Sequence, residues 1–421
     1  MNTVGDLLKS NGSNIVLVIF TLKQLVSMKL LRKLLTIPKI FYFGIAILII
    51  SIFFTNLSTG GVEISEIKFI GQATLPNKLS FQKTEVGGLS GITYDAKNNL
   101  YYAISDDRGQ RATARFYTLK IDLSKGSLKN GGVVPVGVTT LLNDNSKAFA
   151  VGETDTEGIA FTNKKTVFVS SEGDVGKLIK PFVKEFSLSS GKATTTLPIP
   201  NKFLPDKTGK QGIRDNLAFE SLTITPNNKY LFTATENALI QDGSVAKPNI
   251  NTSCRILQYN LLTNQPEKEF LYQTEPIAPF LNLTGKFASG LPDLVALDNQ
   301  GHFLSLERSF TGLGFAIFLF QVSLEGTDDI HNIDSLSAVY STKIKLVKKK
   351  LLLDLRTLNV LLDNIEGLTI GPKLPDGQRS LILVSDNNFN GLQRTQFLAF
   401  KLKIEPPFIR LLRRLLPNFK F

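Results

Sequence analysis

The chain has 421 residues, 43% of them hydrophobic and 20% charged, and a formal net charge of +12. That balance excludes a wholly disordered chain and allows one to three domains with a large core. A single cysteine, Cys254, excludes an intrachain disulfide and a thiolate zinc centre.

The positive charge belongs to the ends. In residues 1–60, Lys9, Lys23, Lys29, Arg32, Lys33 and Lys39 face only Asp6, and in 407–421 Arg410, Arg413, Arg414 and Lys420 stand unopposed. The middle is close to neutral, which points to membrane-proximal termini and away from a nucleic-acid-binding body. The first predicted element is the apolar run 40–54, preceded by Lys29, Arg32, Lys33 and Lys39. This is the layout of an export signal or an N-terminal anchor helix. The run falls short of the roughly 20 residues that cross a bilayer, and no A-x-A cleavage site follows, so cleavage stays open. Met28 opens a second plausible leader and is an alternative start. We divide the chain into a leader (1–60), one folded domain (61–406) and a basic tail (407–421). The tail reads either as an amphipathic helix on a membrane surface or as a last helix packed on the domain.

Within 61–406 a phrase recurs. It opens on Ser90, Glu157, Glu220, Asp293 or Glu366, at spacings of 67, 63, 73 and 73 residues, and its partner phrase closes on Asp106-Asp107, Glu172, Glu236, Glu307 or Asp386. Asn98-Asn99, Asn227-Asn228 and Gln300-Gly301 separate phrase from partner in three repeats, as hairpin turns do. A third apolar run follows each pair (116–123, 183–188, 256–261, 315–324, 397–404), and a fourth follows in four repeats (133–142, 193–199, 269–276, 339–353). Four short strands per repeat predict an all-β protein, a single propeller of four-stranded blades. Five blades are counted; a sixth is possible if the long repeat 293–365 hides strands. The fifth repeat lacks its fourth strand, and the segment 63–70 has no repeat of its own. That N-terminal strand is expected to complete the last blade and close the ring, removing an exposed edge.

The phrases Gly87-Gly88-Leu89-Ser90-Gly91, Ser105-Asp106-Asp107-Arg108-Gly109, Asp155-Thr156-Glu157-Gly158, Leu306-Glu307-Arg308-Ser309-Phe310, Asp363-Asn364-Ile365-Glu366-Gly367-Leu368 and Val384-Ser385-Asp386-Asn387-Asn388 occur in that order. The chain resembles, over roughly 62–404, the family called "esterase-like activity of phytase". The resemblance implies an exported propeller, periplasmic or extracellular, that hydrolyses phosphate or other esters with calcium.

In a propeller the first strand of each blade lines the central axis, so the opening acids are expected to form one ring and the closing acids a second. Gathered carboxylates repel and need donors, arginines or a hard cation. Glu157, Glu172, Glu220, Glu236, Glu366 and Asp386 are the expected Ca²⁺ ligands. Arg108 and Arg308 would grip a small anionic ester, and Glu157 and Glu366 would serve catalysis. The same acids could instead brace one blade against the next. Two other readings stay open: a non-catalytic envelope propeller that binds a partner or an anionic ligand, and a lactonase-type propeller. No G-x-S-x-G elbow is present, and His302 and His331 fall in turns, His302 in a position expected to face solvent.

Overall fold

The computed structural model describes residues 61–405 except 278–286, 311, 313 and 339–342. The leader, its apolar run and the basic tail lie outside the described residues. No helix among the described residues is long and apolar enough to cross a membrane.

The chain folds as five four-stranded antiparallel sheets. β1 (Glu63–Leu75) comes first, followed by a small hairpin of β2 (Ser80–Phe81) and β3 (Thr84–Glu85). Blade one is β4 (Leu89–Asp95), β5 (Leu100–Ser105), β6 (Arg115–Ile121) and β7 (Val133–Thr140); blade two is β8 (Thr156–Phe161), β9 (Thr166–Ser171), β10 (Phe182–Ser187) and β11 (Ala193–Leu197). Blade three is β12 (Phe219–Ile224), β13 (Tyr230–Thr235), β14 (Ser253–Asn260) and β15 (Gln265–Gln273); blade four is β16 (Ala288–Ala296), β17 (His302–Phe310), β18 (Phe315–Ser323) and β19 (Lys348–Asp354). Blade five is β20 (Ile365–Lys373), β21 (Arg379–Ser385) and β22 (Thr395–Glu405), completed by β1. The innermost strands β4, β8, β12, β16 and β20 neighbour one another in that order, and β20 returns to β4.

The ring therefore has five blades. The fourth run of the long repeat, expected from 339, becomes a strand only at Lys348, and the chain before it makes the 3-10 turn Leu336–Ala338. The predicted closing strand is present and longer than expected: β1 pairs antiparallel with β22 from Glu63↔Glu405 to Leu75↔Thr395. The expected turn residues Asn99, Asn228 and Gly301 all take positive φ, the conformation that hairpin turns demand.

The core is divided among the blade interfaces. Successive residues of a strand face opposite sides of the sheet, and both sides of each blade are covered. Ile382 and Val384 pack with blade one, whereas Leu381 and Leu383 pack with blade four. Tyr101 and Ala103 face blade five, and Tyr102 and Ile104 face blade two. Together with the clusters between blades two and three and between three and four, every interface in the ring has its own apolar filling. Burial on both faces is why the strands read as near-continuous apolar runs.

The inner strands approach closely at their first residues. A Cβ on Gly91 would stand 2.6 Å from the Glu157 carbonyl oxygen, one on Gly158 2.7 Å from that of Glu220, and one on Gly367 2.9 Å from that of Ser90. Glycine at these positions lets neighbouring backbones touch. Ser90 Oγ donates to the Glu157 carbonyl (2.9 Å) and Thr156 Oγ1 to that of Ser105 (3.0 Å), which ties blades one and two there. Replacing Gly158 with alanine forces backbone to move, so a loss of about 1–3 kcal/mol is expected, against almost none for Gly391→Ala, whose Cβ meets open space. Denaturant midpoints of the two variants measure the difference.

Candidate functional site

The ring has two ends: the inner strands begin at the upper end and run to the hairpin turns at the lower one. Near its upper end each inner strand carries a β-bulge against its partner. The register skips between Leu89 and Gly91, Thr156 and Ile159, Phe219 and Ser221, Gly290 and Asp293, and Ile365 and Gly367. In four blades the opening residue sits in that bulge: Ser90, Glu157, Glu220 and Glu366. A bulge re-aims a side chain, and here it turns the acid toward the axis of the ring. The closing acids Asp106, Glu172, Glu236 and Asp386 directly follow the ends of the second strands, at the same end of the ring.

Blade four departs from this pattern and corrects the sequence reading. Asp293 pairs with Leu306, as Gly91, Ser221 and Gly367 pair with Ile104, Ala234 and Val384. Asp293 thus stands one residue beyond the opening position, which Pro292 fills. Its carboxylate does not join the ring of acids; it accepts from Leu294 N (2.8 Å) and from Leu368 N of blade five (2.8 Å), as a brace between blades. The same offset applies on β17. Arg308 pairs with Gly290 and takes the place that acids hold in the other blades. Glu307 turns away and accepts from Tyr272 Oη (2.6 Å), Lys349 Nζ (2.8 Å) and Glu275 N (2.7 Å).

Arg308 is therefore a cation set among carboxylates. Its Nη2 donates to Glu236 Oε1 (3.2 Å) and to Glu366 Oε1 (3.0 Å), joining blades three, four and five. Asn364 Nδ2 adds a second donor to Glu366 (2.9 Å). On the other side of the ring stand two acid triads, Asp106–Asp155–Glu157 and Glu157–Glu172–Glu220, whose oxygens lie within 4.8 Å of one another in each triad. Glu157 belongs to both. Arg108 reaches the first from its edge, through Nε to Asp155 Oδ1 (2.8 Å) and Nη2 to Asp155 Oδ2 (2.5 Å), and Nη2 also donates to Asn216 Oδ1 (2.5 Å). In the second, Ala218 N donates to Glu172 Oε1. Asp106 Oδ1 and Glu172 Oε2 are buried with no hydrogen-bond donor among the described residues.

The eight carboxyls from Asp106 to Asp386 share two guanidinium groups. Burial pushes Glu157, Glu172 and Glu220 well above the ordinary carboxyl range, and adjacent acids push further: Asp106 and Glu220 on Glu157, Asp155 on Glu172, Glu172 and Glu236 on Glu220. Asp106 and Asp386 are likewise raised well, first by burial. Glu366 is raised by burial against the pull of Arg308. Glu236, under the same two influences, is pushed up to about 7.

Of the six ligands expected from sequence, the triads bring together Glu157, Glu172 and Glu220, while Glu236 and Glu366 gather on Arg308, with Asp386 near enough to raise its pKa. Sequence reasoning did not nominate Asp106 or Asp155 as ligands. The signal for Asp155 is its place two residues before Glu157, immediately ahead of β8. His302 is mostly buried rather than solvent-facing: its Nδ1 lies 2.8 Å from Asp298 Oδ2, at the lower end of blade four, away from the acids. His331 Nδ1 lies 3.8 Å from Glu269 Oε1. Cys254 is buried and free.

Fold and site together define a five-bladed propeller with an acid cluster at one end of its axis. The sequence pattern of the phytase-like family, "esterase-like activity of phytase", matches residues 84–389. The chain belongs to that family. No curated protein matches the sequence. Among solved structures the chain is similar to an endo-arabinase from Bacteroides thetaiotaomicron (12% identity, 77% of this chain and 95% of that one, TM-score 0.41). It is also similar to the periplasmic gluconolactonase PpgL of Pseudomonas aeruginosa (11%, 76% and 89%, 0.33) and to the Dos1 propeller (7%, 74% and 68%, 0.33). These distant likenesses carry no argument about activity.

Two outcomes follow from the electrostatics. Glu236 has a folded-state pKa above its unfolded value of 4.5, so the folded state holds its proton longer. Its contribution is fully present below about 4.5 and is lost as pH rises through about 7. In chelator, unfolding free energy measured against pH should fall across that window, and less so in Glu236→Gln. Removing the buried cation alone, as in Arg308→Met, leaves Glu236 and Glu366 unpaired and should cost about 3–5 kcal/mol at neutral pH, with part of the loss recovered at acid pH.

Proposed function

We propose that this protein is an exported, membrane-anchored propeller hydrolase of phosphate or related esters that works at the acid end of its ring with a bound calcium ion. The observation that carries the reading is the pair of triads sharing Glu157, with buried oxygens of Asp106 and Glu172 that receive no donor. An all-oxygen donor set with no histidine or thiolate suits a hard cation, and calcium takes six to eight such ligands. Calcium is also what the family resemblance implies. Glu157 would hold the ion together with Asp106 and Asp155 or with Glu172 and Glu220, and the ion would supply positive charge to an anionic ester oxygen.

The chain's own residues divide the remaining work. Arg108 is partly exposed at the edge of the first triad, fixed by Asp155 and Asn216; its guanidinium would receive phosphate or carboxylate oxygens. Arg308 is occupied by Glu236 and Glu366 and offsets part of the negative charge on that side of the ring. Glu366 pairs with this arginine yet is raised above its ordinary value, which suits a carboxyl that exchanges a proton during hydrolysis. Export and anchoring rest on the apolar run 40–54 with its basic flank.

The test uses the purified full chain. Calorimetry should show calcium binding, weakened at least about tenfold by Glu157→Gln, since even residues outside the ligand sphere are worth that much. An aryl phosphate, an aryl acetate and a lactone are then assayed in calcium and in chelator. Calcium-dependent turnover of either ester supports the reading, and turnover confined to the lactone replaces it with the lactonase-type reading. Binding without turnover of any substrate overturns the hydrolase and leaves a cation that braces the ring, which the burial of the triad acids also favours.

A further inference from the structure

The described chain begins and ends at one face. Glu63 pairs with Glu405 at the foot of β1 and β22. Val62 N donates to Asp298 Oδ2 (3.0 Å), and Gly61 lies against the His302 ring. Asp298 and His302 flank the lower hairpin turn of blade four, so this is the face opposite the acids.

The same face is basic in the sector of blades one to three. Its turns carry the exposed lysines Lys97, Lys125, Lys164, Lys165, Lys192 and Lys229. The lysine ion pairs of the described residues are made elsewhere, by Lys177, Lys184, Lys202, Lys349, Lys350 and Lys401. The lower hairpins are tied into one surface: Asn163 N donates to Asn228 Oδ1 (3.1 Å) and Asn227 N to Asn299 Oδ1 (2.9 Å). The sequence that joins this face at Gly61 holds the apolar run with Lys29, Arg32, Lys33 and Lys39, and the sequence that leaves it after Glu405 holds Arg410, Arg413 and Arg414. Lysine attraction to anionic headgroups fades within about 10 Å, so the turns act only if the face lies on the bilayer.

We propose that the lower face of the propeller docks on an anionic lipid surface and directs the acid end away from the membrane. The proposal rests on the anchoring reading only for the chain's attachment; the lysine turns are an independent contact, and one experiment separates the two. A dye is placed on the full chain at Ala96→Cys, in the lower turn of blade one, or at Leu392→Cys, exposed in an upper loop; native Cys254 is buried. Vesicles bear headgroup quenchers and are either rich in phosphatidylglycerol or made of phosphatidylcholine alone. Quenching at 96 but not at 392, confined to phosphatidylglycerol vesicles and weakened by salt, is the expected result. Changing Lys97, Lys164, Lys165 and Lys229 to glutamine should reduce it more than about tenfold, because each lysine near such a surface contributes about a factor of five. Equal or stronger quenching at 392, or quenching at 96 that persists in phosphatidylcholine or in the lysine variant, overturns the proposal. Vesicle association that resists alkaline extraction without quenching at 96 also overturns it and leaves the anchor standing. Quenching at 96 without such resistance supports the docking and removes the anchor.

Discussion

The structure turns on one constraint: five inner strands must meet at the upper end of the ring closely enough for backbones to touch. Gly91, Gly158 and Gly367 permit that approach, and the bulges beside them aim the preceding side chains at the axis. With glutamate at three of the five opening positions, Glu157, Glu220 and Glu366, and acids after the second strands as well, closing the ring compels like charges to share a small volume. Buried carboxylates in that state cost several kcal/mol each unless something compensates. Compensation comes in three forms: backbone donors such as Ala218 N, the guanidinium groups of Arg108 and Arg308, and protons held well above the usual carboxyl range.

Blade four breaks the symmetry on which the others agree. Its register places Pro292 and Arg308 where the other blades have an opening and a closing residue that is mostly acidic. One side of the ring is thereby partly compensated from within, by an arginine that links Glu236 and Glu366, and on the other side Glu157 belongs to two triads. Two acid triads and an arginine brace coexist around one axis, set apart by a single offset in the repeat. The displaced Asp293 still works, but as a link to the backbone of blade five.

The strands and their order were legible because each blade is buried on both faces and separated by turns with recognisable residues. Asn99, Asn228 and Gly301 mark hairpins in the sequence as they do in space. The opening positions were legible in four blades for the same reason: Ser90, Glu157, Glu220 and Glu366 each stand two residues before an apolar residue of the inner strand, Ile92, Ile159, Leu222 or Leu368. Asp293 stands only one residue before Leu294. Alternation makes one residue a change of face, so its acidic character misled where its spacing would not have.

What the sequence by itself determined is the repeat: its period, the four strands within it, the orphan strand that closes the ring, and the recurrence of acids at one structural level. Those features are local, set by alternation, turn chemistry and burial along each segment. Only the tertiary structure decided which acids share a site. Asp106, Asp155 and Glu172 meet Glu157 and Glu220 because the ring brings strand ends from three blades to one place, and Arg308 pairs with Glu236 and Glu366 because bulge register, invisible along a single strand, sets which side chains reach the axis.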